Sequence, residues 1–452
     1  MALNVVMLGA SRSGKTSILA SMLNNVRNPN ADNNVNRHFY VRDNSDYKGL
    51  NDPMRQEEVE LQVNVDGMQD LLTPPIGGKY VPKMANLFGT KAPFTYSFTV
   101  NAKLNNMLSD KQLTINFHDI PGELCSNGKF GMIEDEIRNA QLLIVAVDVP
   151  SLMYSKETGK SALNTVMNCP EEVFDAVQLL GVDCCSDISD ENKRNQELAN
   201  LLRMVVFVPI KCEYWLQNGK RDEIDAEIRR VYAKTIDRCE KYNNVQALIL
   251  PVETIGSCVF DHHSEDENSM ILLYANSSRS KLYISEDYID GRSAIRCEKL
   301  TNEQVRLKNG VVYDLRSGDQ LISAKERIYH PYCYDGGTKL IPYAWFKPTS
   351  DKYAPKYCDV LFCQILRFSI MDFAKRTGHS AKEAFDNTET LWDKICALPD
   401  FFGRLFSGHT AAYSDVLQVK KFQACILAVD ISKLLDENPI AYLVNREDGS
   451  DV

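Results

Sequence analysis

Apolar positions in the first 250 residues fall into short blocks whose period switches between that of a strand and that of a helix. Asn4 to Leu8 is a short apolar run of strand type, and Ser17 to Leu23 carries apolar residues at helical spacing. Leu113, Ile115 and Phe117 alternate with Thr114, Asn116 and His118, which predicts a half-buried strand forming a hairpin with residues 94–104. The unbroken apolar runs Leu142 to Val147 and Met204 to Ile210 predict strands buried on both faces, and 247–251 predicts another. Helices are expected at 57–72, 130–140, 162–180, 191–202 and 221–242. Strands separated by helices predict an α/β fold with a mostly parallel sheet covered on both faces.

The texture changes near residue 258. The chain becomes rich in Ser, Asp, Tyr and Gly, with short alternating segments at 270–274, 281–285 and 310–315. Lys308-Asn309-Gly310 carries a hairpin-turn signal. From residue 356 helical patterning returns at 358–377, 381–398 and 411–435, with Gly378 and Gly408 at the breaks. The expected organisation is an α/β domain over 1–257, a small β-rich insertion over 258–350 and a helical C-terminal region over 356–452. Helix 358–377 is a candidate to complete the first domain.

Composition narrows the function classes. Hydrophobic residues make up 44% and charged residues 25% of 452 positions, which is ordinary for a globular protein with a large core. A formal net charge of −10 argues against non-specific binding of nucleic acid or an anionic membrane. The apolar runs are too short to span a bilayer, and the first strand starts almost at Met1, so no cleavable leader and a cytoplasmic location are expected. The 13 cysteines include no C-x-x-C pair and read as reduced, buried thiols. His262-His263 with the acidic run 264–267 reads as a solvated loop rather than a metal site.

The chemistry concentrates in two motifs. Gly9-Ala10-Ser11-Arg12-Ser13-Gly14-Lys15-Thr16 fits the phosphate-binding P-loop pattern between a predicted strand and a predicted helix. Gly9 and Gly14 permit the tight turn, and the backbone around Ser11, Arg12, Ser13 and Ser17 would present N–H groups and a helix N-terminus to phosphates. Lys15 would reach the terminal phosphates, and Thr16 would offer its hydroxyl to Mg2+. Asp119-Ile120-Pro121-Gly122 follows the alternating strand. Asp119 could hold the same Mg2+, directly or through water, and the Gly122 N–H could meet a γ-phosphate. Glu123 could orient a water or act as base, or could face away; Arg12 could add positive charge to a transition state, or point to solvent or a partner. Thr73, Thr90 and Thr95 are candidates for a further switch residue.

These motifs in this order resemble the P-loop GTPases of the translation-factor-related (TRAFAC) class, whose fold is the Ras-like G domain. Asp119-Ile120-Pro121-Gly122-Glu123, Lys211-Cys212-Glu213 and the long region between the first two motifs are most similar to divergent bacterial double-GTPase-like proteins of conflict and defence gene clusters. The resemblance covers about residues 1–256. It implies that Lys211 packs over a guanine and that Glu213 accepts its two N–H groups, although Ile210 and Glu213 stand where Asn and Asp are usual. The backbone near Thr254 would touch a base carbonyl. The implied function is a GTP/GDP switch that hydrolyses GTP with Mg2+ and signals to a protein partner or through self-dimerisation. An ATP-using P-loop enzyme and a nucleotide-locked scaffold of weak activity remain the alternatives.

Overall fold

Described by the computed structural model are residues 2–10, 13–27, 39–43, 61–62, 64–69, 72, 83–84, 93–104, 107–108, 113–122, 124–125, 130–159, 161–182, 202–241, 245–263, 344–376 and 441–444, with short strands between 269 and 340. The central sheet contains β1 (Ala2–Leu8), β2 (Phe39–Asp43), β3 (Phe94–Leu104), β4 (Leu113–Asp119), β5 (Leu142–Asp148), β6 (Arg203–Ile210) and β7 (Val245–Ile249). Further on, β8 (Cys258–His263) and β9 (Ala344–Pro348) pair with each other, and β10 (Ala441–Val444) returns to the central sheet. The sheet order is β2-β3-β4-β1-β5-β6-β7-β10. The pairs β4–β1, β1–β5, β5–β6 and β6–β7 are parallel, whereas β2–β3, β3–β4 and β7–β10 are antiparallel. The fold is therefore α/β with a mostly parallel mixed sheet, an architecture shared by Rossmann-like and P-loop proteins.

Nine helices are labelled here: α1 (Lys15–Arg27), α2 (Glu134–Arg138), α3 (Val149–Thr158), α4 (Ala162–Asn168), α5 (Pro170–Val182), α6 (Glu213–Gln217), α7 (Arg221–Val231), α8 (Ala233–Lys241) and α9 (Cys358–Arg376). Strand alternation divides the core into two layers. Leu142, Ile144 and Ala146 join Ile18, Met22, Leu361 and Ile365 on one face. Leu143, Val145 and Val147 join Ile137, Val177 and Ile228 on the other. Because both faces of β5 and β6 are covered, every residue in them is buried. Helix α9 packs against α1 within the first layer, so this distant segment belongs to the same core.

Some elements depart from the sequence pattern. The expected helix 221–242 breaks at Tyr232, which turns inward to meet Phe207 in a tilted ring contact and donates its hydroxyl to the Asn168 carbonyl at 2.7 Å. Residues 441–444, expected within a helical region, form an edge strand. Between 258 and 348 every described element is a strand and every described pairing is antiparallel. β9 also pairs with residues 83–84, tying the long polar region after α1 to this segment. The helices expected at 191–202, 381–398 and 411–435 lie mainly outside the described residues. Among the described residues no helix is long and apolar enough to cross a membrane.

Candidate functional site

The strands of the parallel core end together. Met7 is in register with Asp119, Leu8 with Val145, and Asp148 with Ile210. The loops that follow them line one edge of the sheet, the usual ligand crevice of such folds.

The first loop turns at Gly9 and Gly14, whose φ angles are 146° and 105°. A Cβ at Gly9 would lie 3.2 Å from the Ala146 carbonyl oxygen, and one at Gly14 would lie 2.7 Å from Ile210 Cδ1. Both glycines are thus required by backbone conformation and by close neighbours. Ser13 donates its backbone N–H to Ala10 at 3.2 Å, and its buried hydroxyl has no hydrogen-bond partner among the described residues. Ile18 donates to the Gly14 carbonyl at 2.9 Å, which starts α1 directly from the loop. Lys15, only 5% exposed, folds back along this loop and donates to the Gly9 and Ala10 carbonyls at 2.8 and 3.0 Å. Ser17 is buried on α1.

Thr16 and Asp119 meet. The threonine hydroxyl donates to Asp119 Oδ2 at 2.6 Å across 103 residues of sequence, and Asp119 is fully buried. Beyond it, Leu124 and Cys125 donate to the carbonyls of Pro121 and Gly122 at 2.9 and 3.2 Å, giving a compact turn. Burial pushes the Cys125 thiol up, opposed by Lys15 and by the Gly9 backbone, so this turn lies against the first loop. Ser11, Arg12 and Glu123, together with Thr73 and Thr90, lie outside the described residues. Thr95 is placed on β3 and shares a 3.0 Å hydrogen bond with His118 Nδ1.

Lys211 and Glu213 take separate partners. Lys211 adopts φ 56° and pairs its ammonium with the Asp148 carboxylate. Asp148 also accepts from the Ser151 N–H at 3.0 Å and hydroxyl at 2.6 Å, capping α3. Burial alone would raise the Asp148 carboxyl, but Lys211 and Ser151 outweigh it and hold the group below the usual carboxylate range.

Glu213, at the start of α6, is 2% exposed. Burial pushes its carboxyl up to about 8; its own N–H and that of Gly256 oppose the shift, nearby Glu253 adds to it, and Lys356 opposes it. One Glu213 oxygen, Oε2, is buried with no hydrogen-bond partner among the described residues. Glu253 pairs with Lys356 at 2.9 Å, and their backbones exchange hydrogen bonds of 3.1 and 2.9 Å. Thr254 is buried, and its carbonyl accepts from Ser21 at 2.8 Å; Ser21 in turn accepts from the Tyr353 hydroxyl at 2.8 Å. The segments leaving for and returning from the β-rich region therefore form a clasp beside Glu213. Its next turn is held too: Trp215 stacks on Phe260 of β8 at 5.0 Å.

The buried Glu213 has a consequence for stability. The unfolded carboxyl loses its proton near pH 4.5, whereas the folded one keeps it to about pH 8. The folded state binds more protons in that window, so this group makes stability fall as pH rises through it. Glu213→Gln is expected to unfold at a temperature several degrees above wild type at pH 9 and to converge with it below pH 4.5. Parallel pH profiles of the melting temperature for the two proteins would refute the assignment.

Sequence reasoning missed Asp148, the contact of Ile210 with Gly14, and the Glu253–Lys356 pair. Asp148 had a readable signal, because it ends a buried apolar strand just as Asp119 ends β4. The other two depend on residues brought together only by the fold. Among the described residues no group of three or more His, Cys, Asp or Glu side chains could hold a metal ion. No family model matches the chain, and no curated protein matches it.

Proposed function

We propose that the protein is a P-loop GTP-binding switch of the Ras-like type, binding Mg2+ with GTP or GDP and hydrolysing GTP slowly. The observation that carries this reading is the 2.6 Å meeting of Thr16 and Asp119 beside Lys15, whose ammonium is held by the Gly9 and Ala10 carbonyls. A hydroxyl and a carboxylate are the hard oxygen donors that Mg2+ prefers, and the ion would neutralise charge on the phosphates. Thr16 and Asp119 would hold it. Lys15 would exchange its two loop carbonyls for phosphate oxygens, and the start of α1 would point its N–H groups at the same charge. The Gly122 N–H would meet the γ-phosphate, with Glu123 orienting water and Arg12 adding charge. The output would be a conformational signal to a protein partner or a second copy, with bacterial defence as the biological setting.

Asp119→Asn and Thr16→Val test the core of this reading. Each is expected to cut the Mg2+-dependent gain in GTP affinity by about 10-fold or more, read as binding in Mg2+ against binding in EDTA. An unchanged Mg2+ increment in both variants would refute it.

One observation favours the alternatives, an ATP-using enzyme or a nucleotide-locked scaffold. With its carboxyl pushed up to about 8, Glu213 is largely protonated at neutral pH and offers one donor and one acceptor. Guanine requires two acceptors there. The GTP-to-ATP affinity ratio should therefore rise between pH 6 and 9 if Glu213 reads guanine. Equal affinities across that range would favour the alternatives.

A further inference from the structure

Lys211 is expected to serve a base, yet its ammonium is already committed to Asp148. The Asp148 end of the pair is anchored by several hydrogen bonds. Asp148 and Ile210 are in register at the ends of adjacent parallel strands, and Lys211 follows Ile210 in a left-handed conformation. The Asp148 carboxylate is fixed by two donors from Ser151, and its backbone N–H donates to Asn168 Oδ1 at 2.7 Å. The two side chains differ in exposure, 20% for Lys211 and 3% for Asp148. A lysine whose head is tied to a buried carboxylate presents its methylene stem rather than a mobile charge.

We propose that Asp148 is a positioning residue for base recognition: by holding the Lys211 ammonium it stretches the Lys211 stem across the ends of β5 and β6 as a fixed apolar platform for a purine ring. The proposal rests on the nucleotide-binding reading above. Asp148 is too buried to touch the ligand and acts through Lys211. A free lysine would lose rotamer entropy when a base docks on it, whereas this one is ordered beforehand. Specificity for guanine over adenine would still come from polar groups, and the platform would supply affinity common to both.

The test compares GDP with inorganic pyrophosphate, which shares the phosphate cradle but has no base. Asp148→Ala is expected to weaken GDP binding about 10-fold or more while changing pyrophosphate binding less than about twofold. Asp148→Asn, whose single oxygen can keep either the Ser151 donors or the ammonium but not both, should fall between. The double variant Asp148→Asn/Lys211→Met keeps an unbranched apolar stem without a buried charge, and should recover most of the GDP affinity lost in Asp148→Ala. Equal losses for GDP and pyrophosphate would overturn the proposal, as would unchanged GDP binding in Asp148→Ala or a double variant as weak as Asp148→Ala. Failure of the nucleotide reading would show separately, as wild-type protein that binds no GDP.

Discussion

Lys15→Ala is expected to lower affinity for GTP and GDP by about 100-fold or more while leaving the fold intact. The magnitude follows from the chemistry of the residue. Lys15 is nearly buried and spends two hydrogen bonds on the Gly9 and Ala10 carbonyls. On nucleotide binding the same ammonium would turn to phosphate oxygens, where a charge-assisted hydrogen bond is worth about 1.5–3 kcal/mol. Because these bonds replace the two to neutral carbonyls, the net gain is the charge–charge attraction, about 4 kcal/mol at 4 Å and an effective dielectric of 20, a factor of roughly 100 or more in affinity. Alanine also leaves the Gly9 and Ala10 carbonyls to water, while the turns at Gly9 and Gly14 and the Ser13–Ala10 hydrogen bond remain. Titration calorimetry with GDP, beside a thermal melt as control, reads the two effects apart. Wild-type affinity in the variant would sink the phosphate assignment.

Gly256→Ala should be the most damaging single change to stability among the glycines with positive φ outside the first loop. Gly256 has φ 76°, and a Cβ there would sit 1.7 Å from the Ala354 carbonyl oxygen and 2.5 Å from its carbon. That carbonyl cannot retreat easily, because Ala354 donates to Ile255 at 3.1 Å and the Glu253–Lys356 ladder holds the chain on the other side. Gly159 supplies the control. It has φ 72° at the end of α3, but a Cβ there meets nothing within 4 Å. Gly159→Ala should cost about 1–2 kcal/mol, the left-handed backbone penalty alone. Gly256→Ala should cost more than about 4 kcal/mol, in the range reserved for steric clashes in packed structure. It should also disturb Glu213, to which the Gly256 N–H donates. Urea unfolding gives both numbers, and equal costs would show that the clasp is loose.

Much of the fold was legible because it follows from short-range pattern. The alternation of β4 matches its burial residue by residue, and the unbroken runs of β5 and β6 reflect helices on both faces. The pattern over 221–242 reads as one continuous helix because Tyr232 is compatible with a helix locally; its tilted ring contact with Phe207 and its bond to Asn168 come from other elements. Residues 441–444 were read as helical territory, and what makes them a strand is the free edge of β7. In the site, the turns at Gly9 and Gly14 were legible because consecutive residues build them. The spacing of Lys211 and Glu213 suggested one shared target, but a left-handed turn at Lys211 separates their charged ends. One goes to Asp148 and the other into the clasp with Gly256, Glu253 and Lys356.

By itself, then, the sequence determined the alternating α/β order, the turns at Gly9 and Gly14 and the strand-end placement of Asp119, because each depends on neighbours within a few residues. Tertiary structure decided that Thr16, expected to share an ion with Asp119, bonds to it directly across 103 residues, that Ile210 closes on Gly14, and that Asp148 captures Lys211. It also decided the ionisation of Glu213, which depends on burial and on the charges of Glu253 and Lys356. The physical reason is common to all four: a contact or a pKa is set by what surrounds a group in space, and parallel strands bring together residues that the chain itself keeps far apart.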